Sequence, residues 1–340
     1  MTSEHGAAEQ GAQEAAEGER AGLCLCVTYL QATERAALAG ARWLGRADQE
    51  SAEEAAVSGM RDALDELPIT GRVLVGIGGD EAGARIPETL GSGGLDVDLA
   101  LDPLEGRGVV ARGGNGAISM IVAAEPGRLL RLPDMYMRTL AAGPIARGKL
   151  DLLAPVGDNV RAIAAAFGRN VGDVTTIVLD RPRHHDLIEE IRAAGARIKL
   201  IQDGTVTASI SAAIRGTNDH LAIGIGGTRQ ALLTAGALRC LGGEVQAQLW
   251  PTSRREIEAA AEHGIEDVQQ VFTTEDLVSG EVIVAATGVS NGDLLRGVRF
   301  LADSARTHSL VMCTRCNRVR FVDGIHFFAR ERREEVRLLG

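Results

Sequence analysis

From about Val171 onward the chain alternates short β-branched runs with helical stretches, and no other feature constrains its fold as tightly. Thr175-Thr176-Ile177-Val178-Leu179 precedes a helix from about His185, Arg197 to Ile201 precedes one from about Val206, and Leu221-Ala222-Ile223 precedes one from about Thr228. Alternation at this spacing makes βαβ units and a parallel sheet. In open α/β sheets, ligands sit beyond the carboxyl ends of the strands. Those ends carry Asp180-Arg181-Pro182-Arg183-His184, Asp203-Gly204-Thr205 and Gly224-Ile225-Gly226-Gly227-Thr228. Arg181 and Arg183 supply anion-binding forks, Asp203 accepts from sugar hydroxyls, and Gly227 at a helix start offers a bare backbone N–H to a phosphate. A phosphorylated sugar fits that set. Each element has a plainer reading: loop arginines beside a proline are often solvated, and Gly226-Gly227 is not the GxGxxG fingerprint of a dinucleotide site.

The first half reads differently. Residues 2–21 are Ala-, Glu-, Gly- and Gln-rich without a large apolar residue, which predicts a disordered acidic tail. Helical spacing runs from Leu23 to about Trp43, and Ser51-x-x-Glu54 makes a capping box for a second helix through about Leu67, with Glu53 in its first turn. Val73-Leu74-Val75-Gly76-Ile77 is a buried strand entering the loop Gly78-Gly79-Asp80-Glu81. Asp96 to Leu101 alternates as a half-buried strand, and Ala117 to Ala123 follows a glycine-rich turn. This half is expected to be α+β, with helices on a mostly antiparallel sheet. The expected divisions are a tail over 1–21, an α+β domain over 22–150, an α/β domain over 151–330 and a charged tail over 331–340.

The strand at Asp96 runs into Asp102-Pro103-Leu104-Glu105-Gly106-Arg107. Two carboxylates at a strand end, stiffened by a proline and released by a glycine, suit a hard cation such as Mg2+, which takes a few carboxylates plus substrate oxygens. Arg107 cuts across that, because a guanidinium repels a metal and attracts a phosphate. Net charge of −10 and aromatics at 3% exclude a basic or base-stacking nucleic-acid surface. No apolar run approaches a membrane span, so a cytoplasmic protein is expected. Cys24-x-Cys26 and Cys313-x-x-Cys316 could complete a four-cysteine zinc site, but an i, i+2 pair on a helix points to different faces, and reduced thiols are the simpler reading.

Taken in order, these residues resemble the class II fructose-1,6-bisphosphatases of the lithium-sensitive, metal-dependent sugar and inositol phosphatase superfamily. The resemblance runs from Leu23 to about Phe327. It rests on Ala37-Leu38-Ala39-Gly40-Ala41-Arg42-Trp43-Leu44-Gly45-Arg46, Asp98 to Gly106, Pro133-Asp134-Met135-Tyr136-Met137, Arg181-Pro182-Arg183-His184, Gly224 to Thr228 and Ala286-Thr287-Gly288-Val289. It implies a layered α-β-α-β-α fold and hydrolysis of a sugar bisphosphate to a monophosphate and phosphate with Mg2+ or Mn2+. It places Glu53, Asp102 and Glu105 at the metal, Arg107 beside the reaction, and Tyr136, Arg181, Arg183, His184, Asp203 and Gly227 on the substrate.

The match breaks at the metal. Of five carboxylates in the family's site, Asp102 and Glu105 stand unchanged and Glu53 replaces an Asp. Ile77 and Gln230 occupy the positions of two glutamates, Arg107 that of a water-orienting Thr, Thr205 that of a second acid after Asp203, and Arg229 that of a Pro. Three acids and one arginine give a formal site charge of about −2 against about −5, which weakens divalent binding. Asp80 and Glu81 are the nearest replacement ligands. The balance favours a sugar-bisphosphate binder with impaired hydrolysis; the alternative is a non-catalytic sensor or a regulatory subunit of an active phosphatase. Composition permits a homo-oligomer without requiring one.

Overall fold

The computed structural model describes residues 25–76 and 88–328. The predicted tails, Cys24, Ile77, Asp80 and Glu81 lie outside the described residues.

The chain opens with helices α1 (Leu30–Ala41) and α2 (Gln49–Asp65), then strands β1 (Ile69–Val75), β2 (Thr89–Leu90) and β3 (Leu95–Glu105). A short α3 (Arg107–Arg112) leads to β4 (Ile118–Ala124) and β5 (Tyr136–Ala142). The alternating region follows: α4 (Val156–Phe167), β6 (Thr175–Leu179), α5 (His185–Ala193), β7 (Arg197–Ile201), α6 (Thr205–Ala213), β8 (Leu221–Gly227), α7 (Thr228–Leu241) and β9 (Glu244–Leu249). Helix α8 (Arg254–Glu262), β10 (Val271–Phe272), α9 (Thr274–Leu277), β11 (Val282–Gly288), β12 (Arg299–Phe300), β13 (Ser304–Cys313) and β14 (Arg318–Phe327) close the described chain.

Two mixed sheets result. The first runs β12-β13-β11-β4-β3-β1-β2, with β14 paired to β13; the second runs β10-β9-β5-β8-β6-β7. Helices α1 and α2 cover one face of the first sheet, and α7 covers the other while also meeting β5, β8 and β9 of the second. Helices α4 and α5 close the far face of the second sheet through Val160, Ile163, Ile188 and Ile191. These are the five layers that the resemblance implies. In the second sheet the parallel pairing is confined to β8-β6-β7, because β5 and β9 join antiparallel. The sheets also do not divide at residue 150: β5 belongs to the second sheet, and β11 to β14 return to the first.

Burial explains where local patterns misled. Strand β3 is not half-exposed; from Val97 to Glu105 every residue is buried, since helices cover both faces. Its inward acid Asp98 is satisfied by Arg72, at 2.8 and 3.0 Å, and by the Gly127 N–H at 2.7 Å. Helix α2 is capped by Asp48, whose carboxylate accepts from the Ser51 N–H at 3.0 Å, so Glu53 falls in the second turn rather than the first. The predicted first helix is shorter, a 3-10 turn at Leu25–Val27 preceding α1. Cys26 and Cys313 are buried together with Cys316 against them, and Arg320 reaches the Cys26 Sγ at 3.4 Å. Among the described residues no group of three or more His, Cys, Asp or Glu is placed to hold a metal ion. No helix among them is long and apolar enough to cross a membrane.

Candidate active site

Asp102 and Glu105 come from the end of β3. In a regular strand, residues three apart face opposite sides. Here the pairing register with β4 shifts between Asp102 and Glu105, and this bulge at Pro103-Leu104 turns both carboxyl groups into one cleft. Gly106, at φ +93°, then takes the left-handed conformation that starts α3 and presents Arg107.

The cleft has a volume of about 560 Å³. It gathers Glu53 from α2, Asp102, Glu105 and Arg107, Tyr136 from the start of β5, Asp203 from the loop before α6, and Gly227, Arg229 and Gln230 from the β8–α7 junction. Asp134 and Glu256 also line it, and neither was singled out from sequence. Asp134 sat inside a recognised motif with no role attached. Glu256 completes a capping box with Ser253 at the start of α8, a signal of helix structure rather than of chemistry.

Several of the acids already have partners. Glu105 Oε1 accepts the Val206 N–H at 2.8 Å, with Thr205 Oγ1 and Thr207 Oγ1 each 3.4 Å from the carboxylate. Gly204, the residue before α6, has no side chain to cap it, so Glu105 serves as that helix's cap from another element. Burial, then the neighbouring Asp102 charge, pushes Glu105 up to about 8. Burial likewise raises Asp102 to about 6, against the pull of Arg229. Glu53 is paired with the Arg107 guanidinium. Gln230 folds back so that its Oε1 accepts the Gly227 N–H at 3.1 Å. That N–H, expected to meet a phosphate, is therefore engaged within the chain.

The remaining residues that the resemblance puts on the substrate stand beside the cleft or behind it. Arg183 lies over the Tyr136 ring, 5.2 Å from its centroid, and donates to the Ile225 carbonyl at 2.9 Å. Arg181 donates to the Asp180 and Gln202 carbonyls at 2.9 and 2.7 Å. His184 is buried: its Nδ1 lies 2.7 Å from the Leu179 carbonyl, and its Nε2 accepts the Ile225 N–H at 2.8 Å. Both ring nitrogens are thus used to tie β6 to β8, and His184 positions the loop instead of facing the cleft. Asp203 Oδ1 accepts from its neighbour's Gly204 N–H at 3.0 Å.

Residues 24–326 match the family model described as bacterial fructose-1,6-bisphosphatase, glpX-encoded. The chain belongs to that family. The D-fructose 1,6-bisphosphatase class 2/sedoheptulose 1,7-bisphosphatase of Synechococcus sp. strain JA-3-3Ab is 41% identical over 335 residues, covering 89% of this chain and 95% of that protein. The protein of the same description from Synechococcus sp. strain JA-2-3B'a(2-13) is 40% identical over 338 residues, with the same shares covered. Its counterpart numbered 2 from Acaryochloris marina is 38% identical over 336 residues, at 89% and 95%. The α/β fold described above is consistent with that family.

The described donors do not fit the divalent cation that the family resemblance implies. Glu53 is held by Arg107, Glu105 caps α6, Gln230 offers a neutral amide already bonded to Gly227, and Arg229 sits close enough to Asp102 to draw its proton affinity down. Two arginines, Arg107 and Arg229, line the cleft beside these acids.

Proposed function

We propose that this member of the class II fructose-1,6-bisphosphatase family binds a sugar bisphosphate in the cleft and hydrolyses it poorly, with Arg107 and Arg229 neutralising the phosphate in place of the family's metal ions. The observation that supports this reading is the Arg107–Glu53 pair, which engages a carboxylate that the resemblance puts at the metal and holds a guanidinium at the cleft wall. A guanidinium binds a phosphate by parallel N–H bonds without any cation. Tyr136, Arg183, Arg181 and Asp203 form the sugar and distal phosphate side, in keeping with the two bisphosphates in the names of the Synechococcus relatives. A role as a sensor or regulatory subunit follows from the same pocket if turnover is absent.

The test combines turnover with binding. Phosphate release from fructose 1,6-bisphosphate and sedoheptulose 1,7-bisphosphate with Mg2+ or Mn2+ is expected to run at least a hundredfold below an ordinary enzyme rate of about 10 s⁻¹. Calorimetric binding of the same sugars is expected to be unchanged by EDTA. Ordinary turnover, or binding that requires metal, overturns the arginine reading.

A further inference from the structure

His220, the residue preceding β8, is buried with its ring between two donors. The Thr175 N–H donates to Nδ1 at 3.1 Å, and Arg169 Nη1 stands 3.1 Å from Nε2. A neutral imidazole has one acceptor nitrogen, and a guanidinium has no acceptor at all. With the Thr175 N–H on Nδ1, the ring proton is on Nε2, and Nε2–H faces the Arg169 N–H groups donor to donor. The other tautomer only moves the conflict to Thr175.

Charging the ring does not relieve it. Burial and the neighbouring Arg169 charge hold the His220 pKa below its ordinary value, with Arg197 adding to them and Asp219 opposing. The Asp219 carboxylate is itself engaged, by Lys199 at 3.0 Å and Ser211 at 2.6 Å. Arg197 is paired with Asp173. An acceptor set between Nε2 and Arg169 would satisfy both donors at once.

There is room for one. A cavity of about 290 Å³ opens here, lined by Arg169, His220, Arg215 and the already engaged Asp219 on its polar side and by Ile145, Phe167 and Ile214 on its apolar side. The Phe167 ring meets His220 edge-on, with centroids 5.0 Å apart. The cavity lies at the amino end of β8, whereas Gly227 at the other end of that strand lines the catalytic cleft. Six strand steps of about 3.3 Å separate the two sites by roughly 20 Å.

We propose that this cavity is a second ligand site, which takes a small metabolite by an oxyanionic group held between Arg169 and His220, with the ligand's apolar body against Phe167 and Ile145. The site is independent of the sugar-phosphate reading of the cleft. It calls for both parts of the ligand: the anion answers the two donors, and the body covers the apolar wall.

Imidazole nitrogen NMR on the full chain tests it, since seven histidines give a resolvable spectrum and His220→Gln assigns the ring in question. Three probes are titrated: inorganic phosphate, benzoate and phenylphosphonate, the last a non-hydrolysable oxyanion with an aromatic body. The His220 Nε2 signal is expected to shift and saturate, with phenylphosphonate binding tighter than inorganic phosphate. Arg169→Leu is expected to weaken that binding about tenfold or more, the usual cost of losing a charge-assisted hydrogen bond. Arg169→Lys keeps the charge and is expected to retain part of it, while Arg183→Leu at the cleft rim leaves the His220 response unchanged. Absence of any His220 response to all three probes overturns the proposal. So does a response that survives Arg169→Leu but is lost in Arg183→Leu, because the anion would then be acting from the cleft.

Discussion

A carboxyl group buried beside another acid stays protonated unless a cation compensates it, and Glu105 sits in that position. Its pKa of about 8 against an ordinary 4.5 means that the folded chain holds the proton more tightly than the unfolded chain. Stability from this group is therefore complete below about pH 4.5 and is lost as pH rises through 8; Asp102, raised from 3.8 to about 6, adds the same trend over a lower window. In EDTA, urea denaturation is expected to show stability falling between pH 5 and pH 8.5, by on the order of 3 kcal/mol for Glu105. Glu105→Gln keeps an acceptor for Val206 and is expected to flatten most of that fall. A variant whose pH profile matches the parent would show that the carboxyl group is already ionised without penalty. Arg107 gives a second residue-level prediction. Arg107→Thr combined with Ile77→Glu and Gln230→Glu restores two acids and releases Glu53, so Mn2+ binding by calorimetry is expected to tighten by at least tenfold, with hydrolysis gained alongside. An unchanged Mn2+ isotherm would place the lesion elsewhere.

Elements carry those residues into place, and here His184 matters more than its motif suggests. Its imidazole accepts from Ile225 and lies against the Leu179 carbonyl, bridging the ends of β6 and β8 beneath Arg181 and Arg183. Burial, and then the two nearby arginine charges, hold its pKa below the ordinary 6.5. A neutral ring in the fold that charges on unfolding stabilises the protein above pH 6.5, and the contribution is lost as pH drops below that value. His184→Ala leaves buried backbone groups unpaired and is expected to cost about 1–3 kcal/mol in urea denaturation, and to remove that acid-side loss. Helix α7 gives a packing counterpart. A Cβ at Gly236 would come within 2.7 Å of Val122 on β4, so Gly236→Val is expected to cost about 1–3 kcal/mol by the same measurement, despite removing a helical glycine. Strands β6 and β7 were legible to the residue because β-branched runs between loops have few other uses. Strand β3 was placed but misjudged, since alternation along one strand cannot report a second layer of helix laid over its outer face. The cleft's acids were legible as types at a spacing. Their actual partners were not: the Arg107–Glu53 pair, the cap that Glu105 gives α6 and the Gln230–Gly227 contact all join segments far apart in sequence or depend on a side chain folding back.

At the scale of the whole molecule, the middle helical layer decides how the chain unfolds. Helix α7 packs on β3, β4, β11 and β13 of the first sheet and on β5, β8 and β9 of the second, so one continuous apolar core spans both. A chain divided near residue 150 would unfold in two steps. This one crosses between sheets twice, entering the second with β5 and returning with β11, so the first sheet is complete only with strands from both ends of the described chain and the second lies inserted between them. The two tryptophans report separately: Trp43 follows α1 and packs on the core of the first sheet, and Trp250 follows β9 in the second. Single-tryptophan variants, Trp43→Phe and Trp250→Phe, are expected to give coincident urea transitions. Leu233, fully buried on α7, sharpens the test. Leu233→Ala removes methyl groups from the shared layer and is expected to cost about 2–5 kcal/mol, moving both transitions together. If the Trp250 transition shifts alone, the sheets are held by independent cores, and the cleft between Asp102 and Gly227 can open without the molecule unfolding.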